Sequence, residues 1–263
     1  MSMNDKSPTT KAEYLSRISA EMDKYLSADQ WTLKQKLALT CRMLANDGHA
    51  SGLAGQITAR AEEPGAFWTI PLGLGFDEIT AGNLIRCDGD LNALDDDGMP
   101  NPATRFHLWI YRARPDVNCI VHTHPPYCSA LSMLGEEMRI AHMDTTPLHG
   151  EVAFLPEWPG VPVADDEGRL ISKALGPAKK AILLAHHGQL VACDGVERAA
   201  VLALTMERAA RIQLMARAAG EIRRIDPALA KEAHDYRHQP KHIAASFGYY
   251  ARQVLRAAPE CVD

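Results

Sequence analysis

Cys119-Ile-Val-His-Thr-His-Pro-Pro126 is an apolar run that ends in two histidines one residue apart and is then stopped by two prolines. Side chains alternate faces along a strand, so His122 and His124 point the same way, about 7 Å apart along the chain. A buried imidazole needs a hydrogen-bond partner, so a pair on one face is an unfavourable way to fill a core. Either the strand end is solvated and the pair is incidental, or the fold uses both. A second apolar run, Ala181-Ile-Leu-Leu-Ala-His-His-Gly188, ends the same way. The same alternation puts Leu183, Ala185 and His187 on one face and His186 on the other. Two strands that end in histidine before a Pro or Gly point to one site at the strand ends, where α/β folds tend to place ligands. Three neutral imidazoles with an open coordination position suit Zn²⁺, Mn²⁺ or Fe²⁺ as a Lewis acid, with Zn–N distances near ~2.0–2.1 Å. The spacing does not choose among these ions.

The segments around these runs alternate between strand and helix patterns. Thr32 is placed to cap a helix through LKQKLALTCRMLAND, ended by Gly48. GQITARAE, AFWTIPLG, NLIRCDGD and LNALDDDG read as strands. ATRFHLWIYRARPD reads as a helix closed by Pro115, and Pro125-Pro126 suits the first turn of another through YCSALSML. A strand is expected near RIAHMD, and a helix over RLISKALG. KKAILLAHHGQLVAC reads as two strands joined at His187-Gly188, and Asp194 with Glu197 as a capping box for a long helix over 195–219. The acidic run Asp95-Asp96-Asp97-Gly98 lacks the spacing of a calcium loop and reads as a solvated turn. This order predicts an α/β layered domain over 29–220, preceded by a tail over 1–28 and followed by a polar helical arm over 221–263.

The composition excludes several function classes. The 263-residue chain is 46% hydrophobic and 23% charged, with a formal charge of −5 and no strong basic cluster, which argues against nucleic acid as a partner. No apolar run approaches the ~20 residues a membrane span needs. The polar N-terminal stretch has no apolar core of a secretory signal. The six scattered cysteines form no C-x-x-C pair and read as reduced core thiols, so a cytoplasmic protein is expected.

Taken together, the strand end HTHP, the strand end HHG and the preceding RFHLWIYRARPD resemble the class II aldolase/adducin family. GLAGQITAR is similar to that family's G-N-I-S-x-R segment, and TIPLGLGFDEIT to its T-P-x-G-x-x-x-x-x-L-T segment. The resemblance covers about residues 30–220. It implies a three-layer α/β/α fold with a central mixed, largely antiparallel sheet. It also implies a cyclic homotetramer with active sites at subunit interfaces and one divalent ion per chain held by His122, His124 and His187, with Zn²⁺ or Mn²⁺ favoured and Fe²⁺ a further candidate.

Departures from the family pattern bear on the reaction. The sugar-phosphate aldolases of the family carry S-S-E four residues before the helix histidine, and their glutamate moves the proton. Here the stretch reads Asn101-Pro102-Ala103, and a methyl group cannot act as acid or base. The paired serines are gone, Gln56 stands where the family has a phosphate-contacting asparagine, and Pro71-Leu72-Gly73 departs from the threonine-bearing loop. A phosphorylated sugar is therefore not the expected substrate. Replacement proton carriers are sought in Asp144 and His142, a region similar to where the dehydratase branch places an acidic residue, and in His149 and Glu151. An Asp at such a position can equally be a cap. His107 and Tyr111 lie one helical turn apart and face either a pocket or the next element. Arg105 is placed to hold a substrate carboxylate bidentately, or to sit solvated at the surface.

The expected activity is that of a metal-dependent carbon–carbon lyase, a carboxy-lyase or aldehyde-lyase, that uses a small carboxylate substrate. Decarboxylation of a hydroxylated aromatic or heteroaromatic acid through an enolate or phenolate is favoured, because it demands less proton handling before the bond breaks. The alternatives are a retro-aldolase on a hydroxy-keto acid, a non-catalytic adducin-like assembly module, and a non-haem iron oxygenase. In the family, tyrosines from a neighbouring subunit reach the site; Tyr236, Tyr249 and Tyr250 of the arm are the available candidates.

Overall fold

The computed structural model describes residues 9–26, 30–95, 98–160 and 165–263. Asp96 and Asp97 of the acidic turn, residues 161–164 of the Pro/Gly loop, and residues 1–8 and 27–29 lie outside them. In chain order the elements are α1 (Lys11–Tyr25), α2 (Leu33–Asn46), β1 (Gln56–Arg60), β2 (Phe67–Thr69), β3 (Ile85–Cys87), α3 (Arg105–Ala113), β4 (Cys119–Thr123), α4 (Pro126–Met133), β5 (Val152–Leu155), α5 (Asp165–Leu175), β6 (Ala181–Leu184), β7 (Gly188–Cys193), α6 (Val196–Ala219), α7 (Pro227–Arg237) and α8 (Pro240–Ala257). Thr32 caps α2 and forms a capping box with Gln35, as its position predicts. The N-terminal segment likewise holds a capped helix, α1, whose Thr10 and Glu13 satisfy each other's backbone amides.

The strands form one sheet in the spatial order β3-β2-β1-β4-β7-β6-β5. Every neighbouring pair is antiparallel except β5–β6, which is parallel. The sheet is mixed and largely antiparallel, as expected. Strand alternation sorts its residues into two cores. Val121, Leu183 and Val191 join α2, α6 and α8 in the larger one, while Ile120, Ile182, Leu184 and Leu190 join Phe106 of α3 and Ile171 of α5 in the smaller. Two apolar faces covered by helices make the three α/β/α layers.

Three local readings are corrected. Residues around Arg139-Ile-Ala-His142 form no strand; a 3₁₀ turn over Met143–Leu148 follows, with the imidazole of His142 accepting the Asp144 N–H. The long helix α6 is capped by Gly195 with no side-chain hydrogen bond, because Asp194 is drawn into an ion pair with Arg198 and Glu197 into one with Lys36. Among its described residues LNALDDDG contributes only a single bridge, Cys87 to Ala93, since Leu91 at φ 66° turns the chain straight back.

The C-terminal arm is folded onto the domain. Phe247, Ala251 and Val254 of α8, spaced three to four residues apart, enter the larger core together with Cys261. All six cysteines are buried and free. No described helix is long and apolar enough to cross a membrane.

Candidate metal centre

His122 is the last buried imidazole of β4, and its ladder partners are Gln56 of β1 and Leu190 of β7. Its Nδ1–H donates to the Gln189 carbonyl at 2.9 Å. A carbonyl can only accept, so the proton is on Nδ1 and the Nε2 lone pair points outward. The ring stands edge-on to Phe106, centroids 5.0 Å apart, on the face of the smaller core. His124 follows one residue beyond the strand, pinned between the Thr123–Gln189 pairing and the Pro125-Pro126 start of α4.

His187 arrives by a different route from the one strand alternation predicts. Leu183 faces the larger core, opposite to His122. β6 ends at Leu184, however, and His186 adopts a left-handed backbone with φ 55°. This turn swings His187 across to the imidazole of His122. The residue is the expected one, but the turn and not the pleat delivers it.

The three rings form a nearly equilateral triangle. Centroids lie 4.8, 4.7 and 4.7 Å apart, with ring planes inclined by 78°, 71° and 55°. The Nε2 atoms of His122 and His124 approach to 2.9 Å, and one ligand nitrogen from each ring lies within 4.8 Å of the others. Burial lowers the affinity of all three imidazoles for protons, and holds His187 at about 4. Neutral imidazoles with converging lone pairs, one of them oriented by a carbonyl behind it, are the donor set of a divalent cation site. The residues therefore fit the implied ion, and nitrogen donors of this kind serve Zn²⁺, Mn²⁺ and Fe²⁺ alike.

Behind the triad lies a buried polar layer that the linear sequence does not reveal. The Gln189 amide donates to Thr123 Oγ1 at 3.0 Å and to the Ala203 carbonyl at 3.2 Å, and its Oε1 accepts from the Cys128 thiol at 3.3 Å. Thr123 also meets His49 Nδ1 at 2.9 Å. Glu207 of α6 accepts the backbone N–H groups of Tyr127 and Cys128, each at 2.8 Å. Apart from Gln189–Ala203, these pairs are separated by about 60 to 80 residues, which leaves no local signal for them.

None of the other candidates bonds to the triad. Asp144 pairs with Arg208 at 2.8 Å and His142 is half exposed beside it. Arg105 is engaged by Asp165 at 2.9 Å. His107 is fully enclosed, its Nδ1 2.9 Å from Thr58 Oγ1, and burial pushes its pKa down to about 3. Tyr111 bonds the same threonine, so both face β1. His149 ends the 3₁₀ turn. Tyr236 lies tilted against His242, and Tyr249 lies against Tyr250.

Glu151 belongs to a second cluster, with His234 and His238 of the arm. Its Oε1 lies 2.8 Å from Lys180 Nζ and 3.0 Å from His234 Nε2. His238 Nε2 donates to the Pro147 carbonyl at 2.7 Å. The two imidazoles stack, 4.1 Å apart and inclined by 23°.

Residues 35–214 match the model of the Class II Aldolase and Adducin N-terminal domain. A 4-hydroxy-3-prenylphenylpyruvate oxygenase/4-hydroxy-3-prenylbenzoate synthase of Streptomyces roseochromogenus subsp. oscitans is 35% identical over 72% of this chain and 69% of its own length. Decarboxylase NovR of Streptomyces niveus is 34% identical over 76% of this chain and 75% of its own. Among solved structures, the L-fuculose 1-phosphate aldolase of Glaciozyma antarctica superposes with a TM-score of 0.81 at 26% identity, covering 92% of this chain and 99% of that one.

Proposed function

The chain belongs to the class II aldolase and adducin family, and from that premise we propose that it is a divalent-metal-dependent carbon–carbon lyase acting on a non-phosphorylated hydroxy-carboxylate. The favoured reaction is decarboxylation of a hydroxylated aromatic or heteroaromatic acid. The observation that carries the reading is the converging, neutral triad of His122, His124 and His187. When bound, a divalent ion there supplies Lewis acidity toward adjacent substrate oxygens and lowers the energy of the electron pair left when a bond to carbon breaks.

The chain's own groups narrow the chemistry. Ala103, whose N–H is taken by Asn101 Oδ1, brings no proton carrier to the head of α3. His107 and Tyr111 are held against Thr58 and are closed to substrate. Gln56, paired with His122 across the ladder, keeps a buried Oε1 without a protein partner. An acceptor left bare beside the imidazoles favours a substrate that brings a hydroxyl donor. One relative is a 4-hydroxy-3-prenylbenzoate synthase, which favours a hydroxylated aromatic substrate, and another is a decarboxylase, which favours loss of CO₂.

The active form in this reading is a cytoplasmic homotetramer with sites at subunit interfaces, the arm over 221–263 bringing Tyr236, Tyr249 or Tyr250 toward a neighbour. Elemental analysis of purified protein, followed by assay of hydroxylated benzoates and pyridine carboxylates for CO₂ release, tests it. About one Zn or Mn per chain with CO₂ evolved supports it; no ion bound or taken up on titration removes it. One relative is an oxygenase as well as a synthase, which favours iron-dependent oxygenation as the second reading. Iron in the purified protein with O₂ consumed and no CO₂ from the benzoates would select that reading.

A further inference from the structure

α4 begins in an unusual way. Its N-cap is Pro125 and its first residue is Pro126, so no side chain of its own caps it. The first free amides of such a helix need acceptors. They find them on another helix, in the Glu207 carboxylate, which takes Tyr127 N–H and Cys128 N–H at 2.8 Å each and is itself only 5% exposed. A carboxylate at a helix N-terminus also complements its dipole. The residue immediately before the two prolines is His124.

We infer that Glu207 is a positioning residue for the metal centre, setting the approach of His124 to His122 and His187 by anchoring the head of α4. This rests on the proposed metal site. His124 has one anchor on each side. Upstream, Thr123 is paired with Gln189. Downstream, Pro125 and Pro126 have fixed φ angles and transmit the position of α4 with little slack. The two anchors also meet, because the Cys128 thiol donates to Gln189 Oε1 at 3.3 Å, and the carbonyl of the same Gln189 orients His122. One buried carboxylate on α6 thus holds the frame of two ligands.

A same-helix control separates positioning from stability. Gln213, 4% exposed and further along α6, accepts Arg139 N–H at 2.7 Å and donates to the Glu137 carbonyl at 3.0 Å, away from the triad. The experiment measures Zn²⁺ affinity by chelator competition, the Co²⁺ absorption spectrum and the thermal midpoint for wild type, Glu207→Gln, Glu207→Ala and Gln213→Ala. Expected are a ~10–100-fold loss of Zn²⁺ affinity in Glu207→Ala, a smaller loss in Glu207→Gln, and displaced Co²⁺ bands in both. Gln213→Ala should lose thermal stability yet keep wild-type affinity and spectrum. Glu207 variants that lose only stability, as Gln213→Ala does, would overturn the inference. Should wild type bind neither ion, the lyase reading falls, and the inference is then decided by imidazole ¹⁵N spectra of the metal-free chains. Displaced His124 resonances with unmoved His234 resonances in Glu207→Gln uphold it, and unmoved His124 resonances overturn it.

Discussion

Two clusters in this molecule each bring three ligand-type groups within 4.8 Å, His122/His124/His187 and Glu151/His234/His238. They differ in how their lone pairs are used. In the first, ring planes cross at 55° to 78°, and the Nε2 atoms of His122 and His124 face each other at 2.9 Å. In the second the two rings stack, 4.1 Å apart and inclined by only 23°, and the Nε2 of each is already engaged. Glu151 is bonded to Lys180 and His234, and His238 donates to Pro147. The first cluster turns its ring nitrogens toward one another; the second closes the arm onto the domain. Proximity alone does not make a site. Ring inclination and unspent lone pairs do.

The strongest break is His124→Ala, which should abolish stoichiometric metal binding and activity, while His238→Ala leaves metal content unchanged; elemental analysis of both decides. Equal metal loss in the two variants would collapse the distinction. Next is Gly188→Ala. A Cβ there would stand 2.5 Å from the Thr123 carbonyl oxygen and 2.9 Å from His124 Cδ2, so backbone must shift beside a ligand. Metal affinity should fall by about tenfold or more, read by chelator competition. Glu151→Gln should act the opposite way, costing about 1–3 kcal/mol in urea unfolding, because Lys180 and His234 lose the negative charge they share, with no change in bound metal. The smallest effect is on pH dependence. His187 is held at about 4, so between pH ~6.5 and 4 the unfolded chain binds more protons than the folded one, and metal-free protein should lose stability as pH falls through that window. For Glu151, burial pushes the carboxyl up but Lys180 and His234 outweigh it and hold it low. Its contribution is present above the ordinary carboxylate range and fades below it, so Glu151→Gln should flatten only the acidic end of the profile.

The His122–His124 pair was legible because a two-residue period needs no tertiary information. His187 could be named from its HHG context, yet its face could not, since the outcome depended on where β6 ends and on the backbone of His186. The same limit explains RIAHMD, where an apolar run resembled a strand but the chain leaves the sheet to pack a 3₁₀ turn against α6 and α7. Arg105 and Asp144 looked available because their partners, Asp165 and Arg208, are 60 and 64 residues away. Glu207 gave no local signal; an acidic residue on a long helix looks solvated until another helix is found to start beneath it.

The six buried thiols give the molecule a built-in clock. None is paired, and burial raises each thiol above its ordinary range, Cys87 to about 11, so none reacts readily as thiolate in the native state. Alkylation must therefore wait for an opening, and the order of labelling is the order in which the structure lets go. Cys261, near the end of the chain, times the release of the C-terminus. Cys128, one turn past His124, times the loosening of the ligand frame. Cys119, Cys193 and Cys41, in the sheet and on α2, time its collapse.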